Sequence, residues 1–412
     1  MLDISQIAGS LPEAARRARA RQAAERADAD RAGEVARAFA PDDVAARADR
    51  FRAALTSWLT AYPVDPAAPP GRGYPAAEGA LPPAHVVLAA DGSQIAPDRH
   101  DAALRGCCVL NVGRVLIPYG VARRPRMDAV AEVVLVDEDA ADEAPGDEDG
   151  PASTLARTLG LRRFAREMAA LQELIHEAAD TGLPAVALTD GSLIAWALED
   201  ETGQDPAKQA ALAALLSVLE TARERRVPLA GYVSGPGSRD VVNGLRVAAL
   251  CPEDPADCAR CPHPADALPC APIRRATDAA LYARLLAPGE RSAVFASRGQ
   301  ATGYSRVLRR YGDDNWPGIF YLNVGAEVAR VELPLWAAED STLLERVHAV
   351  CLDQARKGRG YPVALAEAHE QAVVRAADRQ AFRELLLRAM VREGEIEAAD
   401  TRKAVSKRVR SL

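Results

Sequence analysis

Two stretches about a hundred residues apart constrain this chain more than any other feature. Val86-Val-Leu-Ala-Ala-Asp91-Gly92-Ser93-Gln94-Ile95 is an apolar run of strand length that ends on an aspartate and a Gly-Ser pair. Pro184-Ala-Val-Ala-Leu-Thr-Asp190-Gly191-Ser192-Leu193-Ile194 repeats the pattern. Each run is short, apolar and bounded by turn residues, which predicts a buried strand followed by a tight turn. Strands without a polar face are those of a sheet covered on both sides. Open α/β sheets place their sites at the carboxyl ends of such strands. Glycine lets the chain turn and leaves room beside the backbone. Asp91 and Asp190, presented in this way, can share a hard divalent cation such as Mg²⁺ or Mn²⁺. The structural alternative is an Asp-Gly turn or a helix cap, common uses of the same residues.

The rest of the chain supports a globular α/β reading. Its 412 residues allow two or three domains or one large elaborated one. Hydrophobic residues make up 49% and aromatic residues only 5%, so much of the core is built from Ala, Leu and Val. The net charge of −7 argues against a uniformly basic coat for nucleic acid, though not against a local basic channel. No apolar run reaches the roughly 18 residues of a membrane span, and no basic-then-apolar leader opens the chain. The expected location is the cytoplasm. Seven unevenly placed cysteines do not form a disulfide scaffold.

Taken in order, residues 1–62 read as a helical region rich in Ala, Arg and Glu. A second helix there presents Val44, Phe51, Leu55, Trp58 and Leu59 on one face. In the first helix, Arg16, Arg17, Arg19 and Arg21 form either a nucleic-acid contact or a solvated helix face with i,i+4 charge pairs. Residues 63–84, with Pro63, Pro66, Pro69, Pro70, Pro75, Pro82 and Pro83, read as a linker. Residues 85–400 alternate strand and helix, which predicts an α/β sheet with some parallel pairing. The acidic run 137–150 reads as a solvated loop, and residues 401–412 as a basic tail.

Two further groups carry chemistry. In Gly358-Arg-Gly-Tyr361-Pro362-Val-Ala-Leu-Ala-Glu-Ala-His369, Pro362 suits a first helical turn. His369 lies about two turns further on, and it is either a packed histidine or an imidazole ligand favouring Mn²⁺ over Mg²⁺. Cys251, Cys258, Cys261 and Cys270 lie in a short Pro-rich insertion with spacing C-x6-C-x2-C-x8-C. In a segment too small for its own core, they are expected to hold Zn²⁺ in a Cys₄ site or a [4Fe–4S] cluster; the alternative is a reduced, metal-free loop. Cys107, Cys108 and Cys351 sit in apolar context, as core cysteines do.

In combination these residues resemble the NurA family of DNA-repair nucleases. The resemblance runs from about Val86 onward. It is carried by Ala90-Asp-Gly-Ser-Gln-Ile, Leu188-Thr-Asp-Gly-Ser-Leu-Ile, Gly231-Tyr-Val-Ser-Gly-Pro, Ser238-Arg-Asp-Val-Val, Gly289-Glu-Arg-Ser-Ala-Val-Phe, Phe320-Tyr-Leu-Asn-Val-Gly, Arg330-Val-Glu-Leu-Pro and Gly360-Tyr-Pro-Val-Ala-Leu-Ala-Glu-Ala-His. It implies an RNase H-like (PIWI-like) mixed-sheet core with flanking helices. It also implies Mn²⁺-dependent cleavage of DNA, including 5′-to-3′ resection of double-strand breaks and single-strand endonuclease activity. The implied partners are a second copy of the chain and a hexameric HerA-type ATPase translocase, and the implied setting is the nucleoid. The family's Asp, Glu, Asp, Tyr and His fall on Asp91, Glu167, Asp190, Tyr361 and His369, with Glu173 as the alternative to Glu167. Asp91, Glu167, Asp190 and His369 would ligate the metal. Phosphodiester hydrolysis needs charge neutralised on the phosphate and an activated water, and ions held by carboxylates supply both. Arg239, Arg291 and Arg298 are the expected phosphate contacts, and contacts of that kind position DNA without reading its sequence. The competing reading is a catalytically weak dimeric clamp that seats the motor on DNA.

Overall fold

In the computed structural model, the described residues are 8–56, 58–98, 101, 104, 106–135, 150–198, 203–298 and 305–393. The acidic run 137–149 and the basic tail 401–412 lie outside them. The strands are β1 (Thr60–Pro63), β2 (Tyr74–Pro75), β3 (His85–Ile95), β4 (Cys107–Tyr119), β5 (Arg126–Leu135), β6 (Ala185–Asp190), β7 (Leu229–Val233), β8 (Glu290–Arg291), β9 (Phe295–Arg298), β10 (Pro317–Asn323) and β11 (Val328–Pro334). The longer helices are α1 (Leu11–Arg37), α2 (Gly150–Ala179), α3 (Pro206–Glu224), α4 (Ser341–Lys357), α5 (Val363–Ala372) and α6 (Ala376–Glu393). The chain divides into two compact bodies. The first is Met1–Pro82, Asp190–Glu199 and Pro228–Pro362; the second is Pro83–Thr189, Asp200–Val227 and Val363–Leu412.

The second body follows from its apolar runs. β3, β4 and β5 form an antiparallel meander, and α2 returns the chain so that β6 lies parallel to β3. Val86 to Ala90 of β3 and Ala185 to Leu188 of β6 are buried throughout, as their unbroken apolar sequence requires. α2 packs on β3 and β4 through Met168, Leu171, Leu174 and Ile175, all buried. Cutting one of these, for example Leu171→Ala, costs about 2–5 kcal/mol of stability. α3 lies on α2, where Gln172 Nε2 donates to Thr221 Oγ1 at 2.8 Å. α5 packs on β3 and β4 through Ala364, Leu365, Ala368 and Ala372. That approach needs Gly113, because a methyl group there would sit 2.3 Å from the Ala368 carbonyl oxygen. The result is an α/β body: a meander, a crossover helix and one parallel strand.

One feature of β3 differs from its sequence reading. The strand does not stop at Asp91 and turn. It runs on through Gly92, Ser93 and Gln94 to Ile95, pairing these residues with Val112, Asn111, Leu110 and Val109 of β4. The ladder supplies backbone partners that an isolated Gly-Ser pair lacks, and these override its turn preference.

The first body is an antiparallel sheet in the order β1-β9-β10-β11-β7, with the short β8 pairing both β10 and β2. α4 is capped by Asp340, whose carboxylate accepts from the backbone N–H of Thr342 and of Leu343. It lays His348 against the Phe320 ring of β10. The amphipathic face predicted near Phe51 is helical only to Ala53; Thr60–Pro63 is a strand because its backbone pairs with β9. The Pro-rich stretch likewise contains β2.

Candidate active site

β3 carries Asp91 out of its buried stretch at the point where the burial pattern changes to half-exposed. The Asp91 carboxylate is held on both oxygens. Oδ2 lies 2.8 Å from His369 Nδ1, and Oδ1 accepts from the Gly92 N–H at 2.8 Å. His369 sits on α5, 278 positions further along the chain, and its ring is two-thirds exposed. The backbone beside Asp91 is tied to the same helix, because Ser93 Oγ donates to the Ala372 carbonyl and Asn111 Nδ2 donates to it at 2.8 Å. The imidazole therefore reaches Asp91 from a helix anchored at two points on the sheet.

Glu167, on α2, comes to the same strand end. A methyl group at Gly92 would lie 2.3 Å from Glu167 Oε1 and 2.8 Å from Arg163 Cγ. Glycine at 92 thus makes room for a carboxylate, not for a turn. Glu167 is largely buried and pairs with Arg163 at 3.2 Å, one helical turn away. Glu173, the alternative, points elsewhere and binds Arg114 Nη1 at 3.1 Å. Sequence reading could not separate the two glutamates; the signal was the glycine after Asp91.

The remaining predicted residues belong to the first body. Asp190 is the last residue of β6 and the exposed one after five buried residues. The β3–β6 ladder ends on the pair Ala90 and Thr189. Here the predicted turn does form: Gly191 adopts φ +99° and its N–H donates to the Tyr232 carbonyl at 2.9 Å. Tyr361 packs edge-on against the Tyr232 ring at 5.8 Å. Burial pushes the Tyr232 phenol well above its usual range, so it stays a donor, reaching Glu327 Oε1 at 3.4 Å.

The arginines divide. Arg239 is half-buried and donates to the Arg274 carbonyl at 3.3 Å. Arg291 does not fit the expected role of phosphate contact. It is 7% exposed, and its guanidinium is bonded to Glu345 Oε1 and stacked on Tyr74. The sequence displays the arginine but not the carboxylate that α4 brings to it. Arg298 ends β9, and its side chain lies outside the described residues.

The cysteine insertion also departs from expectation. Cys251, Cys258, Cys261 and Cys270 are all free, and among the described residues no group of three or more His, Cys, Asp or Glu is gathered to hold a metal ion. Packing orders part of the insertion. Phe51, Val247 and Ala256 form a small core with Trp58, Tyr62 and Cys251 around it. Leu55 N–H donates to the Ala256 carbonyl, and Cys258 N–H to that of Leu55. Burial pushes the Cys258 thiol up, and Cys270, Cys251 and Cys261 lie close enough to push it further. The segment adds only Ala256 and Cys251 to this core, and the rest comes from Val247 and the N-terminal region.

The same finding applies to the acidic site, which is not a preformed cage: Asp91 is bonded to His369, and Glu167 is paired with Arg163. The donor types nevertheless suit a hard-to-borderline divalent ion, with carboxylates on β3 and α2 and an imidazole on α5. The Gly92 cradle keeps the Glu167 carboxylate beside the strand end. No helix of the described residues is long and apolar enough to cross a membrane.

Comparison with known proteins places these observations. No curated protein matches the chain. A crystal structure of NurA with manganese is similar at 10% identity and a TM-score of 0.28, covering 74% of this chain and 88% of that one. A type 1 RNase H, LC9-RNase H1, is similar at 14% identity and a TM-score of 0.20, covering 39% and 68%. Overlaps this loose carry no argument about the site. The NurA domain model, by contrast, matches residues 85–374, a span that takes in Asp91, Glu167, Asp190, Tyr361 and His369. The chain belongs to the NurA family, a family of nucleases.

Proposed function

We propose that this protein is a divalent-metal-dependent deoxyribonuclease, with Mn²⁺ as its working ion and Mg²⁺ as a substitute. The observation that carries the reading is the meeting of Asp91, Glu167 and His369 at one strand end inside the matched NurA domain. Asp91, Glu167, Asp190 and His369 would hold the ion, which neutralises phosphate charge and activates water when bound. The chain's own groups do the rest. His369 orients the Asp91 carboxylate through its 2.8 Å contact, and α5 fixes the imidazole. Arg163 keeps Glu167 from swinging into solvent. Tyr361 donates to a phosphate oxygen or orders the attacking water, with Tyr232 bracing its ring. Arg239 contributes a phosphate contact that is indifferent to sequence.

The finer parts of the proposal come from the family. They are 5′-to-3′ exonuclease and single-strand endonuclease activity in break resection, a homodimer, and a hexameric HerA-type motor as partner in the nucleoid. The working division of the chain is 1–62 helical region, 63–84 linker and 85–400 nuclease domain.

The test is cleavage of end-labelled single- and double-stranded linear DNA with Mn²⁺, Mg²⁺ or EDTA. Wild type and Asp91→Ala are run with and without the motor. Mn²⁺-dependent cleavage that Asp91→Ala abolishes is the expected result. Intact binding of DNA or motor without cleavage under any condition would replace the nuclease with the clamp.

A further inference from the structure

β11 carries two charges into the interior of the first body. Its residues are buried along the whole strand, including Arg330 and Glu332, which lie two positions apart and so on one face. Glu332 has no exposed surface at all. A carboxylate out of water is retained only where other charges and donors replace the water. Glu332 has a full set. Oε1 accepts from Arg330 Nε at 2.6 Å, and Arg330 Nη1 in turn donates to Asp240 Oδ2 at 2.7 Å. Oε2 accepts from Ser192 Oγ at 2.8 Å, Leu193 N–H at 2.8 Å and Ile194 N–H at 3.2 Å.

All three Oε2 donors belong to the turn that follows Asp190. That turn is held from its other side too. The Gly191 N–H is taken by the Tyr232 carbonyl, and Gly231 lets the strands approach, since a methyl group there would lie 2.6 Å from the Gly191 carbonyl oxygen. Tyr311 OH donates to the Leu193 carbonyl at 2.7 Å. The chain immediately after Asp190 therefore has no freedom, and the element that fixes it is a buried carboxylate 140 positions away from Ser192.

From this geometry we infer that Glu332 is a positioning residue: it clamps the Gly191–Ile194 turn and thereby sets the direction in which Asp190 presents its carboxylate. The inference rests on the reading of Asp190 as a metal ligand. Arg330 supplies the countercharge beside Glu332, and Asp240 accepts from the other side of the same guanidinium.

The experiment measures Mn²⁺ binding by the full chain without DNA, from the free-ion electron paramagnetic resonance signal and by calorimetry. Five proteins are compared: wild type, Asp190→Ala, Glu332→Gln, Ser192→Ala and Glu345→Gln. Glu332→Gln places an amide where one carboxylate oxygen stood and removes the charge that Arg330 pairs with. It should weaken Mn²⁺ binding about 10- to 100-fold, the range for groups that orient metal ligands. Ser192→Ala, which removes one of the three contacts, should weaken it a few-fold. Glu345→Gln breaks an ion pair of the same body away from the turn. It should lower the melting temperature without moving Mn²⁺ affinity, which separates positioning from general loosening. In cleavage assays the Mn²⁺ concentration for half-maximal rate should rise in Glu332→Gln while the KM for DNA stays put.

If Glu332→Gln and Ser192→Ala bind Mn²⁺ as wild type does while Asp190→Ala does not, the positioning role is wrong and the ligand reading stands. If Asp190→Ala binds as wild type, the ligand reading fails and takes the inference with it. Should Glu332→Gln not fold, Ser192→Ala decides: wild-type affinity in that variant overturns the inference.

Discussion

The two Asp-Gly-Ser stretches are almost the same in sequence and quite different in structure. After Asp91 the strand continues, Gly92 keeps an ordinary extended conformation within the ladder, and the aspartate is steadied by a side chain, His369. After Asp190 the chain turns, Gly191 takes a left-handed φ of +99°, and the turn is steadied by the buried Glu332. One glycine is required for the space it leaves, the other for the backbone angle it permits. The same three letters thus solve two physical problems, and the solutions respond differently to substitution.

The strongest way to break the comparison is to remove the aspartates themselves. If both serve one site, Asp91→Ala and Asp190→Ala should each leave less than about 1% of wild-type cleavage, since loss of a ligand exceeds the 10- to 100-fold typical of supporting groups. End-labelled DNA assays at saturating Mn²⁺ check this, and a variant retaining substantial activity would divorce the two strand ends. The next effect sharpens the contrast between the glycines. Gly92→Ala drives a methyl group onto the Glu167 carboxylate and should reduce cleavage roughly 10- to 100-fold with little change in melting temperature. Gly191→Ala meets no atom within 4 Å, so its penalty is conformational. A left-handed φ costs an alanine about 1–2 kcal/mol, or a few degrees in melting temperature, and the loss should appear in thermal unfolding before it appears in catalysis.

The smallest effect is a control within the body that holds Asp190. Burial alone would raise the Glu345 carboxyl, but His348 and Arg291 beside it pull it down to about 2, from an ordinary 4.5. A carboxyl lowered on folding adds stability above its unfolded value and loses it as pH falls from about 4.5 toward 2. Glu345→Gln should therefore melt below wild type around pH 7, and the gap should shrink around pH 3. Scanning calorimetry at the two pH values tests it; a gap that persists at low pH would mean the pair acts by packing alone.

How much of this was legible in the sequence depends on the range of the interaction. The buried strands were legible, because unbroken apolar runs such as Val86 to Ala90 have few other uses. So were α2, α3 and α4, whose apolar spacing is local. The aspartates and His369 could be singled out by residue type and by resemblance. What could not be read were partners chosen by the fold. Arg291 looked like a free cation because Glu345 lies 54 positions away. The cysteine insertion looked coreless because Phe51, which packs against it, lies some 200 positions before it. Glu332 stood in a quoted motif with no visible task, since its three donors come from another strand end. The continuation of β3 past Gly92 escaped because turn preference is local and ladder pairing is not.

The 278-position gap between Asp91 and His369 has a consequence for how the molecule is made. A ribosome adds residues at about 5–20 per second, so the aspartate precedes its imidazole by tens of seconds. Over that interval the chain contains the meander and lacks α5, which completes the strand end. On the proposed reading of the site, the strand end therefore stays incomplete through most of synthesis and is closed only when α5 docks.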